Sequence, residues 1–244
     1  LAKMGVKELI LIAQDTTNYG FDLYGKRCLD LLVNRLSKVD GIRWIRILYA
    51  HPAHISERLI EETGSNPKVC KYIDMPLQHI NNRILNLMNR KYNRKTVEQT
   101  IDQLRQIPGM AIRTTLMAGF PTETQKEFEE LHQFIKVADF DHVGFFPYYQ
   151  EKGTPAAGLE QIPHPEKTER LNRLVETQLE SMRRKNCAKT GQRYFAVADC
   201  TTGRIAYGRS QYEAPEIDRR ICIRGKNLKA GNFYEVQITG FDQY

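Results

Sequence analysis

The residues able to do chemistry in this chain come in small polar clusters, each following an apolar run: Gln14-Asp15, His51-Pro52, Gln78-His79, Gly119 through Glu123, and Tyr149 through Thr154. Gln78 can bond a ribose or an adenine edge, or simply satisfy loop amides. Arg90 and Arg113 are candidates for holding a ligand carboxylate in a bidentate fork, against the plainer role of a solvated helix end. Gly119 has no side chain to keep a ligand away from the backbone. Glu123 stands near a helix N-terminus, where complementing the helix dipole is its simplest role. Gln14 and Asp15 open a polar run through Asn18 that an ordinary strand-to-helix loop would also show. Other chemistries find less support. There is no G-x-S-x-G elbow. The six histidines offer no H-x-x-x-H or mixed Cys/His spacing. His51 and His54 are three apart, but the intervening Pro52 argues against a shared helical face, so no metal site is expected.

What must position these clusters is a regular alternation of elements. An apolar strand over residues 9–12, expected to be buried on both faces, precedes a helix with Leu29, Leu32, Val33 and Leu36 on one face, ending near Asp40-Gly41. Strands follow over residues 44–49, 69–74, 111–118 and 142–148. Between them the sequence predicts helices capped by Ser56, by Asn81, by a Thr96-x-x-Gln99 box and by a Thr124-x-x-Glu127 box, with Gly64 stopping the first of these. Five strands alternating with helices imply parallel pairing by right-handed crossovers. All the polar clusters then lie at strand C-termini, on one side of the sheet, and converge on one mouth. A doubly wound open sheet satisfies the same periodicity and would carry helices on both faces.

After a linker over residues 158–165, Pro165 suits the first turn of a long charged helix running from Glu166 to about Lys189. Its Leu171, Leu174, Val175, Leu179 and Met182 are spaced to pack back on the first domain. Beyond Gly191 the period changes to two, and short strands over 194–198, 204–209, 220–224 and 232–238 suit a small β-barrel. The expected division is residues 1–182 and 183–244. The charge divides with it: residues 183–244 hold 12 Lys+Arg against 6 Asp+Glu, leaving only +1 of the total +7 to everything before. A basic module suggests an acidic partner such as RNA or a ribonucleoprotein, although scattered Lys and Arg are also ordinary solvated surface. Five cysteines without a C-x-x-C pair fit a reducing, cytoplasmic compartment better than a disulfide framework, with Cys28 on a helix face and Cys70 in a strand as core residues. No apolar run nears the ~18 residues of a membrane helix, and no membrane partner is expected.

The ordered set AQDTTNYGFDLYGK (residues 13–26), LYAHP (48–52), DMPLQH (74–79), MNRKY (88–92), RTTLMAGFPTET (113–124) and EKGTPAA (151–157) resembles the radical S-adenosylmethionine methylthiotransferases. The QDTT-x-YG segment and GRSQYEAPEID (208–218) are similar to the RimO-like branch, which modifies an aspartate of the twelfth small-subunit ribosomal protein. The resemblance implies a partial parallel (βα) barrel followed by an all-β, OB-like TRAM domain that docks the macromolecular partner and could contact RNA. It implies S-adenosylmethionine and two [4Fe–4S] clusters as cofactors, and insertion of a methylthio group at the aspartate β-carbon after radical hydrogen abstraction. By matching position, Gln14 and Asp15 would border the amino end of S-adenosylmethionine, Gln78 its ribose, Arg90 or Arg113 its carboxylate, and Gly119 to Glu123 its adenine side. The family's C-x-x-x-C-x-x-C triplet is not in this sequence. The chain is therefore expected to be a piece of a longer protein, with its first strand the second of six, and to be incapable of the redox step alone. Two further readings stay open: a tRNA-modifying enzyme of the MiaB-like branch, and a non-enzymatic RNA- or ribosome-binding module.

Overall fold

In the computed structural model, residues 1–242 are described, and Gln243 and Tyr244 of the expected C-terminal unit lie outside them. Strands β1 (Glu8–Leu11), β2 (Trp44–Ile47), β3 (Val69–Asp74), β4 (Ala111–Ala118) and β5 (His142–Pro147) form one parallel sheet in sequential order. That order separates the two architectures compatible with the sequence. When every strand lies beside its predecessor, each right-handed crossover falls on the same face, whereas a doubly wound sheet needs a reversal. The helices confirm it, after a single turn α1 (Phe21–Tyr24). Helices α2 (Leu29–Ser37), α3 (Glu57–Ser65), α5 (Arg94–Arg105) and α6 (Gln125–Ala138), with the short α4 (Asn82–Leu87) between them, join one core. In it Val33, Leu59, Val97 and Phe128 meet Ile45, Ile73, Ile112 and Leu116, all on one face of the sheet.

The local signals are mostly as the sequence predicts. Ser56 Oγ accepts from Leu59 N–H, Asn81 caps α4, and the Thr124–Glu127 capping box is formed. Four expectations fail for identifiable reasons. The α5 cap is Asn93, which accepts from Thr96 N–H and lies three residues ahead of the predicted box. Gly64 lies inside α3; a Cβ there would stand 3.3 Å from Ile107 Cγ1, so the glycine serves close packing. Cys28 is buried, but at the N-cap position of α2 and not on its face. Strand β1 is not buried on both faces either. It pairs only with β2 among the described residues, and Ile10 and Ile12 are 37% and 61% exposed.

Helix α7 (His164–Lys189) crosses α6 and β5, burying Arg170, Leu174 and Gln178 at four-residue spacing. It leads into β6 (Arg193–Thr202), β7 (Ile205–Ser210), β8 (Ile221–Arg224) and β9 (Phe233–Gln237), an antiparallel sheet in the order β8-β7-β6-β9. This sheet covers the lower part of the barrel's concave face. Trp44, Leu48, Cys70 and Tyr72 of that face pack with Val197 and Ala214. Arg46, fully buried, bonds Glu8 at 2.9 Å through Nε and donates from Nη1 and Nη2 to the carbonyls of Gln211 and Ser210 at 2.9 and 3.2 Å. Arg209 reaches back to Glu8 at 2.7 Å while also holding Asp199 at 2.8 Å. The upper part of the concave face, toward the strand C-termini, is where the polar clusters gather. No described helix is long and apolar enough to cross a membrane.

Candidate active site

Parallel pairing puts the five strand C-termini on one side, and backbone hydrogen bonds tie their loops into a rim. Thr16 N–H donates to Tyr49 O at 3.0 Å, joining the loops after β1 and β2. Ala50 N–H donates to Asp74 O at 2.8 Å, joining the next pair. Gln78 N–H donates to Thr115 O and Gln78 O accepts from Met117 N–H, both at 2.8 Å, so the loop after β3 continues pairing with β4. This last arrangement holds Gln78 in a left-handed conformation, at φ 66°. Its side-chain Oε1 is buried with no hydrogen-bond partner. Across the end of β4, Tyr148 is anchored through its N–H to Ala118 O, and its hydroxyl is likewise buried without a partner. Tyr148 belongs to an apolar wall with Ile84 and Phe120. Buried polar atoms are normally paired, so these two, flanking one strand end, are left able to bond a polar ligand or water.

The other predicted residues divide into free and committed groups. Gln14 is exposed at the rim. Arg90 is half-buried and its guanidinium has no ion-pair or hydrogen-bond partner among the described residues, so it is available for a carboxylate. Arg113 is committed: it lies opposite Asp74 in register, bonds it at 2.8 Å, and bonds Asp218 of the C-terminal unit at 3.3 Å. Glu123 is also turned inward. Its carboxylate accepts from Gly119 N–H at 2.9 Å, from His79 Nε2 at 2.9 Å and from Arg170 at 2.5 Å. The tautomer follows from the geometry, because His79 Nδ1 accepts Asn81 N–H at 2.9 Å and leaves Nε2 to carry the proton. Glu123 is thus the charge partner of a buried arginine, more than a dipole complement. Gly119 approaches α7, not open space: at φ 69°, its Cβ would stand 2.5 Å from Lys167 Cγ. Arg170 lies 47 residues beyond Glu123, and no local signal announces the pairing.

The clearest departure concerns Asp15, His51 and His54. Pro52 does not separate the two histidines; it begins a 3₁₀ turn, Pro52–His54, with His51 as its N-cap. A 3₁₀ turn eclipses residues i and i+3 and tolerates proline at its start. The rings therefore stack, with centroids 4.4 Å apart. Asp15 Oδ2 meets His54 Nδ1 at 2.6 Å, and Thr17 both donates to Asp15 Oδ1 at 2.5 Å and accepts His51 N–H at 3.0 Å. Burial opposes ionisation of Asp15, but its bonds to Thr17 and His54 outweigh that and hold its carboxyl below the usual range. Burial, with His54, Arg90 and Arg27 nearby, pushes His51 below the usual imidazole range. The H-P-x-H spacing was the available signal.

The cysteines do not assemble. Cys28 and Cys70 are buried, Cys187, Cys200 and Cys222 exposed, and burial pushes the Cys70 thiol up to about 12. Among the described residues, no three cysteines come together, so these side chains do not fit an iron–sulfur cluster.

Residues 1–135 match the model of the radical SAM superfamily, and residues 190–244 that of the TRAM domain. Over its whole length the chain is 46% identical to the ribosomal protein uS12 methylthiotransferase RimO of Thermoanaerobacter sp. (strain X514), covering 56% of that protein. It is 44% identical to the protein of the same name from Caldanaerobacter subterraneus subsp. tengcongensis, again covering all of this chain and 56% of the relative. The chain spans about half the length of these curated relatives. Among solved structures, coproporphyrinogen III oxidase (HemN) from Escherichia coli, described as a radical SAM enzyme, superposes with a TM-score of 0.51. That match has 17% identity and covers 62% of this chain and 37% of the other, so it bears on the fold alone.

Proposed function

Because the chain belongs to the radical S-adenosylmethionine superfamily, we propose that it is the cofactor-binding and partner-docking part of a RimO-like methylthiotransferase acting on a small-subunit ribosomal protein. The observation that carries the cofactor site is the pair of buried, unpartnered polar atoms, Gln78 Oε1 and the Tyr148 hydroxyl, flanking the end of β4. S-adenosylmethionine fits them, with its ribose toward Gln78 and its adenine toward the wall of Phe120 and Tyr148. Its carboxylate is assigned to Arg90, since Arg113 already serves Asp74 and Asp218. Gln14 borders the amino end. Asp15 lies beside it, while Gly119 and Glu123 shape the adenine side through their bonds to α7 and His79. When bound, this cofactor supplies the radical chemistry of the superfamily. The chain's own residues hold and orient it and exclude water. A cluster would take its ligands from residues other than these.

The finer reading is that the methylthio group goes to the β-carbon of an aspartate in protein uS12, in the cytoplasm, with the target free or within the ribosome. What supports it is the likeness to proteins of that name over the whole chain. The C-terminal unit would dock the target, with Arg204, Arg219, Arg220, Arg224, Lys226 and Lys229 exposed and able to face ribosomal RNA. The test is to offer the full-length, cluster-loaded protein both the ribosomal protein and tRNA, with S-adenosylmethionine and a reductant. Peptide mass mapping should find one methylthio group on an aspartate of the protein. Modification of the tRNA alone would overturn the substrate assignment.

A further inference from the structure

We propose that Asp15, His51 and His54 form a binding site for one divalent transition-metal ion, for which Zn²⁺ is the probe. The three side chains come from the loops after β1 and β2, and one ligand atom from each lies within 4.8 Å of the other two. Two imidazoles and a carboxylate are a donor set that leaves an open coordination position. Metal–ligand bonds of ~2.1 Å put such atoms roughly 3.4 Å apart in a tetrahedron, so an ion would replace the 2.6 Å hydrogen bond between Asp15 Oδ2 and His54 Nδ1 and needs only small side-chain movements among atoms no more than 4.8 Å apart.

Several features of the surroundings favour this over a chance meeting of polar groups. His51 Nδ1 is buried and has no hydrogen-bond partner, so one ring nitrogen already faces away from solvent with nothing to bond. The His51–His54 stack is fixed by the 3₁₀ turn, and the Tyr92 ring packs against His51 in a T-shaped arrangement with centroids 5.2 Å apart, so the rings are held before any ion arrives. Thr17 bonds Asp15 Oδ1 and the His51 backbone together, turning Oδ2 toward the histidines. Outer-shell bonds of this kind orient metal ligands. Arg27 and Arg90 set a positive field at the site. The same field disfavours a bare cation and favours an anionic oxygen in the open position. This proposal does not rest on the radical-enzyme reading, because the residues and their placement are the same whatever the mouth binds.

Equilibrium dialysis of the 244-residue chain against buffered Zn²⁺, followed by elemental analysis, tests it. The wild-type chain should take up one equivalent, and Zn²⁺ should raise its melting temperature by mass action. His51→Ala, His54→Ala and Asp15→Asn should each weaken binding by about 10-fold or more and abolish the thermal shift. His164→Ala, an exposed histidine on α7, should behave as wild type. Circular dichroism identifies any variant that fails to fold, and Asp15→Asn, which keeps the loop's shape, then decides. No uptake by the wild type, or uptake undiminished in the folded variants, overturns the site.

Discussion

Glu127 and Glu123, four residues apart, show how differently two carboxylates can be used. Glu127 is held by Arg83 through two bonds of 2.6 Å and by the Thr124 cap, and these bring its carboxyl down from 4.5 to about 2. A depressed carboxylate stabilises the fold fully above its unfolded value and ceases to do so as pH falls through the folded one. Wild type should therefore lose stability relative to Glu127→Gln between pH 4.5 and about 2, as followed by urea denaturation across that window. Parallel loss in the two proteins would contradict the assignment. Glu123 is fully buried with Arg170, and Glu123→Ala strands that guanidinium. Breaking such a pair costs about 3–5 kcal/mol, a fall readable in the same denaturation experiment. Both carboxylates were legible as residues of interest in the sequence. Their partners were not, because Arg83 and Arg170 approach from other elements 44 and 47 residues away.

At the scale of elements, β3 and β4 have the predicted bounds because each is an apolar run ended by turn residues. The α5 cap and the His-Pro-x-His turn depart from expectation for one reason: in each, a competing local bond is better than the one the simple rule selects. Asn93 offers a stronger cap than Thr96, and a 3₁₀ turn accepts the proline that an α-helical face would not. The C-terminal sheet carries another local constraint. Opposite Gly208 the β6–β7 register shifts between Ala198 and Cys200, and a Cβ on Gly208 would stand 2.0 Å from Val197 O. A β-bulge that lets two backbones close in this way requires glycine. Gly208→Ala should cost about 1–3 kcal/mol in denaturant unfolding and loosen β7 in amide exchange. Unaltered exchange in β6 and β7 would show that the bulge has room to spare.

For the whole molecule, five alternating units and a β-rich tail were readable from periodicity, but the sequential strand order was not, since the same pattern fits an open doubly wound sheet. The docking of the tail was also hidden: its basic character pointed outward to a partner, yet Arg209 turns inward to Glu8 and meets the buried Arg46 there. Arg46→Ala leaves the carbonyls of Ser210 and Gln211 without their donor. It should make the C-terminal sheet yield to limited proteolysis before the barrel does, with a loss of about 3 kcal/mol; simultaneous cleavage of both units would count against this coupling. The convergence of strand ends on one mouth depends on the same architecture, and there Gln78 is the decisive residue. Gln78→Asn keeps a residue tolerant of the left-handed backbone while withdrawing the buried acceptor. Titration of S-adenosylmethionine into full-length, cluster-loaded protein by calorimetry should show affinity reduced about 10-fold in this variant, the cost of one buried hydrogen bond. Equal affinity in wild type and Gln78→Asn would contradict the placement of the cofactor at the end of β4.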